Sequence, residues 1–274
     1  MWVAGKDVSV PTIVEANDPT DPMFDDFRAL NSSDRRPDLP EGKGLVIGEG
    51  VLVAQRLLGS RFRARALLGV ARRLDELRVD LVGADVPFVL TSAEVMAEVV
   101  GFHLNRGVLI SADRPPALTL EEVVDGVRTV AVLEGVNDHE NLGAMFRNAA
   151  GLGVDAVLFG DRCADPLYRR AVRVSMGHIL RVPFAQVPDW PRGLQLLREK
   201  GFQLIALTPD PSSMRLSEAM AAEKVAVLLG AEGPGLREHT MRATDVRARI
   251  PMAAGTDSLN VATAAALAFY ERVR

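Results

Sequence analysis

Three polar, glycine-bearing segments contain the residues whose types and spacing could perform chemistry. They span residues 134–153, 228–236 and 250–267. Apolar runs typical of short buried strands occur in the same part of the chain. In an open parallel sheet, ligands bind beyond the carboxyl ends of the strands, and we place all three segments at such ends.

The first segment predicts a helix that starts at Asn141 and ends at Gly151 or Gly153. Arg147 lies one to two turns into this helix, and the residues three and four positions before it are alanine and glycine. Helical side chains lean toward the N-terminus, so Arg147 would reach over two nearly bare positions toward Asn141. A solvated surface arginine is the alternative.

The second segment, Leu-Leu-Gly-Ala-Glu-Gly-Pro-Gly-Leu, follows a predicted strand. Gly230, Gly233 and Gly235 would let the backbone approach a ligand closely. The glycine spacing is not that of a dinucleotide fingerprint. A bare tight turn is the alternative, but a turn does not require the carboxylate of Glu232.

The third segment crowds Thr256, Asp257, Ser258 and Asn260 at the start of an alanine-rich helix. One such side chain is enough to cap a helix. The excess indicates polar groups directed at something else, although a multiply capped helix remains an alternative. The alanines that follow allow another element to pack closely.

The elements that must position these segments alternate between strands and helices. Short apolar strands separated by helices predict an α/β domain with a parallel sheet covered on both faces. Its strands are predicted at 129–133, 156–159, 204–207 and 224–229, and its helices at 142–150, 168–175, 190–200 and 260–273. A smaller α/β domain precedes it, with strands near 44–48, 64–70, 87–90 and 107–111 and helices at 51–58 and 92–100.

We therefore predict four regions along the chain. Residues 1–41 form an acidic, extended or loosely docked lead-in, and 42–113 form the small domain. Residues 114–127, which contain two adjacent prolines, form a linker. The larger domain spans 128–274.

Charge is distributed unevenly over the chain. The net charge of −4 argues against a nucleic-acid partner. The first 41 residues carry nine acids and four bases, however, so the rest of the chain sums to +1. Arginines cluster at 56–78 and at 162–181, which suits phosphate recognition, although solvated faces produce similar runs.

The single cysteine, Cys163, excludes an intrachain disulfide framework and a multi-cysteine zinc site. No base lies near it in sequence, so we interpret it as a spectator thiol. No secretory signal and no membrane-length apolar stretch is visible, and we expect a cytoplasmic protein without a membrane partner.

Together, and in this order, the three segments resemble the signature motifs of the SpoU-type (TrmH-like) RNA 2′-O-ribose methyltransferases of the SPOUT superfamily. The resemblance covers about residues 128–274. The residues that carry it are Asn141, Gly143 and Arg147, then Leu229-Gly-Ala-Glu-Gly-Pro-Gly-Leu236, then Ile250-Pro-Met with Ser258-Leu-Asn260, and a further family-like segment at 171–178.

This resemblance implies a C-terminal parallel-sheet methyltransferase domain with a deep trefoil knot, preceded by a ribosomal-protein-like RNA-binding domain over 42–113. It implies S-adenosylmethionine as the methyl donor, no metal, and a homodimer whose sites use both subunits. The implied catalytic residues are Arg147, Asn141, Glu232, Ser258 and Asn260. The implied cofactor-binding residues are Thr208, Gly230, Glu232, Gly235, Ile250, Met252, Ser258 and Leu259.

The expected reaction is methylation of a ribose 2′-OH in structured RNA, with ribosomal RNA favoured and DNA excluded as substrate. A tRNA 2′-O-methyltransferase and a non-catalytic RNA-binding member of the same fold are the alternatives. Relatives that methylate base nitrogens share the knot but carry different polar residues. A nicotinamide- or nucleotide-dependent enzyme that uses the glycine-rich turn is a more distant alternative.

Overall fold

A computed structural model describes residues 11–30 and 44–274 of the chain. Internal contacts divide the chain into two compact units. The first unit comprises Met1–Pro115 and Leu167–Arg181, and the second comprises Pro116–Pro166 and Val182–Arg274. The predicted α/β class with a parallel sheet is confirmed.

The first unit is built on a mixed five-stranded sheet in the order β1-β4-β3-β5-β2. Its strands are β1 (Ile13–Glu15), β2 (Leu45–Glu49), β3 (Ala64–Gly69), β4 (Phe88–Leu90) and β5 (Val108–Asp113). Its helices, numbered in chain order, are α1 (Val51–Leu58), α2 (Ala71–Leu77), α3 (Ala93–Val100) and α6 (Arg169–Val174), with 3-10 turns at Pro22–Phe27 and His178–Leu180. The strands and helices predicted for residues 44–113 are present.

The acidic lead-in differs from expectation in the part that the structure describes, residues 11–30. Strand β1 pairs with β4 in parallel register. Phe24 and Phe27 are fully buried in the core of the first unit. A three-residue strand and a six-residue 3-10 helix are too short to produce a sequence period. The remainder of the predicted lead-in, residues 1–10 and 31–41, lies outside the described residues.

The segment around α6 also differs from the predicted boundaries, because contacts assign it to the first unit. The Arg169 Nη1 atom lies 3.3 Å from Oε2 of the buried Glu49, and Arg173 Nη1 lies 3.7 Å from the same oxygen. The Arg169 guanidinium also lies over the Phe102 ring, 4.6 Å from its centroid. Burial of Glu49 requires such partners, and sequence adjacency does not reveal them.

The second unit contains a parallel seven-stranded sheet in the order β10-β12-β9-β11-β6-β7-β8. Its strands are β6 (Thr129–Leu133), β7 (Ala156–Phe159), β8 (Phe184–Gln186), β9 (Gln203–Leu207), β10 (Met214–Arg215), β11 (Val225–Leu229) and β12 (Val246–Arg249). Its helices are α4 (Leu120–Val124), α5 (His139–Gly151), α7 (Leu194–Glu199), α8 (Leu216–Ala219), α9 (Glu238–Arg242) and α10 (Val261–Val273).

The four strands predicted for this unit are present, and three others were not predicted. Strands β8 and β10 have three and two residues, respectively. Strand β12 reads Val-Arg-Ala-Arg and therefore has no apolar run. The predicted linker also contains structure, because α4 carries a Thr119 capping box and buries Leu120 in the core. Within the described residues, no helix is long and apolar enough to span a bilayer.

Candidate active site

The strand order of the second unit brings distant segments to one edge of the sheet. Strands β12, β9 and β11 are neighbours, and all three run in parallel. Ile250, Thr208 and Gly230 are the residues that directly follow these strands. The Thr208 amide donates a hydrogen bond to Ala248 O at 2.9 Å. This is the strand edge at which parallel sheets bind ligands.

A cavity of about 280 Å³ opens at this edge. That volume lies near the lower end of the range for small-molecule sites, about 300–1,000 Å³. All eight residues predicted to bind the cofactor line this cavity. Its lining is Leu207, Thr208, Pro209, Leu229, Gly230, Ala231, Glu232, Gly233, Gly235, Ile250, Met252, Ser258, Leu259, Asn260, Val261 and Ala264.

The glycine-rich loop after β11 folds back on itself beside the cavity. The Gly235 amide donates to Ala231 O at 2.9 Å. A Cβ atom on Gly230 would lie 2.1 Å from the Gly235 carbonyl carbon, so only glycine fits at this close approach. The resulting tight loop presents the exposed Glu232 beside the cavity.

Asn260 connects the three polar segments. Its Nδ2 atom donates to Asn141 Oδ1 at 2.8 Å and to Glu232 Oε1 at 2.7 Å. Its Oδ1 atom accepts from the Ala262 and Thr263 amides and caps α10. This side chain therefore caps α10 and also bonds to a residue of another helix and to a residue of the glycine-rich loop, which explains more of the polar crowding than capping alone.

Helix α5 begins earlier than predicted. Asp138 is its N-cap and accepts from the Glu140 and Asn141 amides at 2.9 and 2.8 Å. The prediction that Asn141 starts the helix is wrong. The Asn141 side chain is therefore free of the capping role and available to accept from Asn260. The predicted end of the helix at Gly151 is confirmed.

Arg147, like Asn141, is a predicted catalytic residue that does not line the cavity. It lies six residues beyond Asn141, or about 9 Å along the helix axis and about 120° around it. Its side chain is exposed and makes no hydrogen bond or ion pair within the described part of the chain. Asn141 is joined to the cavity residues Glu232 and Asn260, and Ser258 lines the cavity itself.

The SpoU rRNA Methylase family model matches residues 128–270. This chain belongs to that family. It is 65% identical over 260 residues to a Mycobacterium tuberculosis protein named as an uncharacterized tRNA/rRNA methyltransferase, with 94% of this chain and 90% of that protein covered. It is 31% identical to the 23S rRNA (guanosine-2′-O-)-methyltransferase RlmB of Ralstonia nicotianae, with 74% and 83% covered.

A similar fold is found in a solved structure, that of an AdoMet-bound rRNA methyltransferase from Sinorhizobium meliloti. The TM-score is 0.77 at 23% identity, and 95% of this chain and 97% of that chain are covered. Family membership confirms the class predicted from the motifs, a SpoU-type RNA methyltransferase that uses S-adenosylmethionine.

One buried charged residue beside the site, Glu134, was not among the residues predicted from the motifs. Glu134 follows β6 directly and is 2% exposed. Its carboxylate accepts from Trp190 Nε1 at 2.8 Å, Thr240 Oγ1 at 2.8 Å and the Arg237 amide at 3.0 Å. The available signal was a charged side chain directly after four consecutive apolar strand residues, inside the first motif.

Cys163 fits the interpretation of a spectator thiol. Burial raises the pKa of its thiol to about 11, which keeps it protonated at neutral pH. Its Sγ atom lies 3.3 Å from Leu133 O. Within residues 11–30 and 44–274, no group of His, Cys, Asp and Glu side chains could hold a metal ion.

Proposed function

We propose that this protein methylates a ribose 2′-OH in structured RNA, with ribosomal RNA as the favoured class. The convergence of the three motifs on one cavity through Asn260 is the observation that carries the proposal. The Ralstonia nicotianae relative RlmB, which is named as a 23S rRNA (guanosine-2′-O-)-methyltransferase, supports ribosomal RNA. The mycobacterial relative's name includes tRNA, which makes tRNA the alternative substrate.

The lining of the cavity suits the chemistry of S-adenosylmethionine. Leu207, Leu229 and Val261 offer apolar walls, whereas Thr208 and Glu232 offer polar groups at the rim. When bound, S-adenosylmethionine supplies a methyl group on a sulfonium leaving group. We propose that backbone groups at Gly230, Ile250 and Leu259 hold it, with Gly235 and Met252 alongside.

The polar residues position the acceptor side of the site. We propose that Ser258 and Asn260 line the acceptor pocket, and that Asn141 and Glu232 hold Asn260 through its two hydrogen bonds. Arg147 binds the RNA phosphate and polarises the 2′-OH. It does not act as the base, because a guanidinium effectively never loses its proton in proteins. The 2′-OH proton passes instead to an RNA phosphate oxygen or to water. Alignment of the ribose oxygen with the methyl carbon supplies the main acceleration.

The first unit is proposed to bind RNA, as the resemblance implies. Arg61, Arg106 and Arg181 are exposed and have no acidic partner within the described residues, so they are available to phosphate. The deep trefoil knot of the second unit is likewise part of the proposal, and general folding rules treat such a topology as a rare exception.

The function is tested by methyl transfer from tritium-labelled S-adenosylmethionine to rRNA and tRNA fractions of a strain that lacks the gene. We expect label in rRNA, at a linkage that resists alkaline hydrolysis because a 2′-O-methyl group blocks cleavage. A DNA copy of the target should remain unlabelled, since it has no 2′-OH. Label only in tRNA would show that tRNA is the substrate. RNA binding without any label would indicate a non-catalytic member of the family.

We propose a homodimer that forms through α10. Leu267, Tyr270 and Val273 are 41%, 55% and 56% exposed and repeat at three-residue spacing on this helix. Exposed apolar side chains at helical spacing are typical of an interface. In sedimentation, we expect the wild type to have twice the chain mass of 29.6 kDa. The double variant with Leu267→Glu and Tyr270→Glu is expected to have the mass of a single chain. Val79→Glu, at an 85% exposed valine of the first unit, is the matched control.

Mixed dimers test whether each site uses both subunits. The absence of Arg147 from the cavity lining supports a site completed by the partner subunit. Mixing inactive Arg147→Ala and Ser258→Ala chains would then create one intact site in each mixed dimer. Random exchange predicts that about a quarter of the wild-type activity returns, by the combinatorics of a two-fold dimer. No recovery would assign Arg147 to the site of its own chain.

A further inference from the structure

Glu134 is a buried acidic residue whose carboxyl oxygens accept hydrogen bonds. Three donors surround it, namely Trp190 Nε1, Thr240 Oγ1 and the Arg237 amide. The nearest basic group within the described residues is the half-exposed His239, whose Nε2 lies 3.8 Å from Oε1. A buried carboxylate is costly unless its acceptors are satisfied, so this arrangement needs a reason beyond packing.

Glu134 contacts both ends of the glycine-rich loop. Its backbone amide donates to Leu229 O at 2.9 Å, directly before Gly230. Its Oε2 atom accepts from the Arg237 amide at 3.0 Å, directly after Leu236. The entry and the exit of the loop 230–236 are therefore both hydrogen-bonded to Glu134, the residue that directly follows the neighbouring strand β6.

Contacts next to Glu134 hold the loop 230–236 and the Trp190 side chain in place. A Cβ atom on Gly135, whose φ is +72°, would lie 3.1 Å from Ala231 Cβ, so the loop packs closely on Gly135. Trp190 lies against Gly160, where an added Cβ would approach the indole to 2.6 Å. These contacts orient the indole N–H toward Glu134 Oε1.

We infer that Glu134 is a positioning residue that sets the shape of the cofactor cavity through the loop 230–236. Glu134 does not line the cavity, whereas five residues of that loop do. The inference rests on the proposed function, because it concerns the cavity assigned to S-adenosylmethionine. It assigns to Glu134 an effect on cofactor affinity and no contact with the reacting atoms.

Glu134→Gln tests the inference with little change in shape. The glutamine amide has one oxygen and one NH₂, so either the Trp190 N–H or the Arg237 N–H loses its acceptor. We expect the Kd of S-adenosylmethionine, measured calorimetrically, to rise about tenfold, which corresponds to the loss of one hydrogen bond to a charged group. The KM for S-adenosylmethionine should rise similarly, and kcat at saturation should be retained.

A second measurement separates positioning from general destabilisation. Without cofactor, the backbone amides of the loop 230–236, other than Pro234, should exchange hydrogen faster in Glu134→Gln than in the wild type. Glu49→Gln is the matched control, since it alters another buried carboxylate, in the first unit. It should leave the affinity for S-adenosylmethionine and the exchange of the loop unchanged.

Thr240→Val is the milder variant to use if Glu134→Gln does not fold. It removes one donor to Oε1, and we expect a rise in Kd of about threefold, smaller than for a fully lost charged hydrogen bond. Wild-type affinity in a folded Glu134→Gln protein, or in Thr240→Val, would overturn the inference. Absence of S-adenosylmethionine binding by the wild type would instead overturn the proposed function and the inference with it.

Discussion

Replacing Arg147 by alanine is expected to lower the rate of methyl transfer by about 10²–10³-fold, the usual effect of removing one group that stabilises developing charge. The affinity for S-adenosylmethionine should not change, because Arg147 does not line the cavity. Folding should also be retained, since no described residue relies on this side chain for a hydrogen bond. Single-turnover transfer and calorimetry measure the two quantities separately.

Arg147→Lys shows whether charge alone is sufficient. Arginine offers a planar fork of donors that can contact a phosphate in two places, whereas lysine offers a point charge. We expect lysine to recover little of the lost rate. Near-normal turnover in Arg147→Lys would show that the fork geometry is unnecessary.

Arg192→Ala is the matched control for this series. Arg192 is an exposed arginine of the same unit, and its side chain has no partner within the described residues. Its replacement should preserve the transfer rate. If Arg147→Ala also transferred methyl groups at the wild-type rate, Arg147 would have no role in the reaction.

Asn260→Ala is expected to affect both stability and activity. It removes the cap of α10, which should cost about 1 kcal/mol and lower the unfolding midpoint by about 2–4 °C. It also removes the links to Asn141 and Glu232. We expect the transfer rate to fall by about 10²-fold because the polar groups of the site lose their alignment. Thermal unfolding and initial rates measure the two effects.

Asn260→Asp separates these two effects. Aspartate retains the oxygen that accepts from the Ala262 and Thr263 amides, so the cap and the unfolding midpoint should be largely preserved. It loses the donor and brings a carboxylate to the position 2.7 Å from Glu232 Oε1. We expect activity as low as in Asn260→Ala. An active Asn260→Asp enzyme would show that capping is the only role of Asn260.

Much of the second unit was predictable from local pattern. Its central strands are fully apolar runs such as Val225–Leu229, and runs of this kind predict strands buried on both faces. The motif residues could also be identified from the sequence, because the type of each residue and its spacing within the motif are local properties. The eight residues predicted for the cofactor site all line one cavity.

Other features depended on partners distant in sequence. The α6 segment belongs to the first unit. Its Arg169 donates a hydrogen bond to Glu49, which lies 120 residues earlier in the chain. The cap of α5 moved from Asn141 to Asp138, a competition between two good capping residues that local pattern does not decide. Short strands such as β8 and β10 exist because neighbouring strands offer them hydrogen bonds.

The sequence by itself determined the family, the α/β class and the identity of the polar motif residues. Only the tertiary structure decided how these residues meet. Asn260 bonds to Asn141 and Glu232, which are 119 and 28 residues away. Glu134 accepts a hydrogen bond from the amide of Arg237, which lies 103 positions later in the chain. Periodicity records only which face of an element is buried, whereas such hydrogen bonds depend on which strands become neighbours in the sheet.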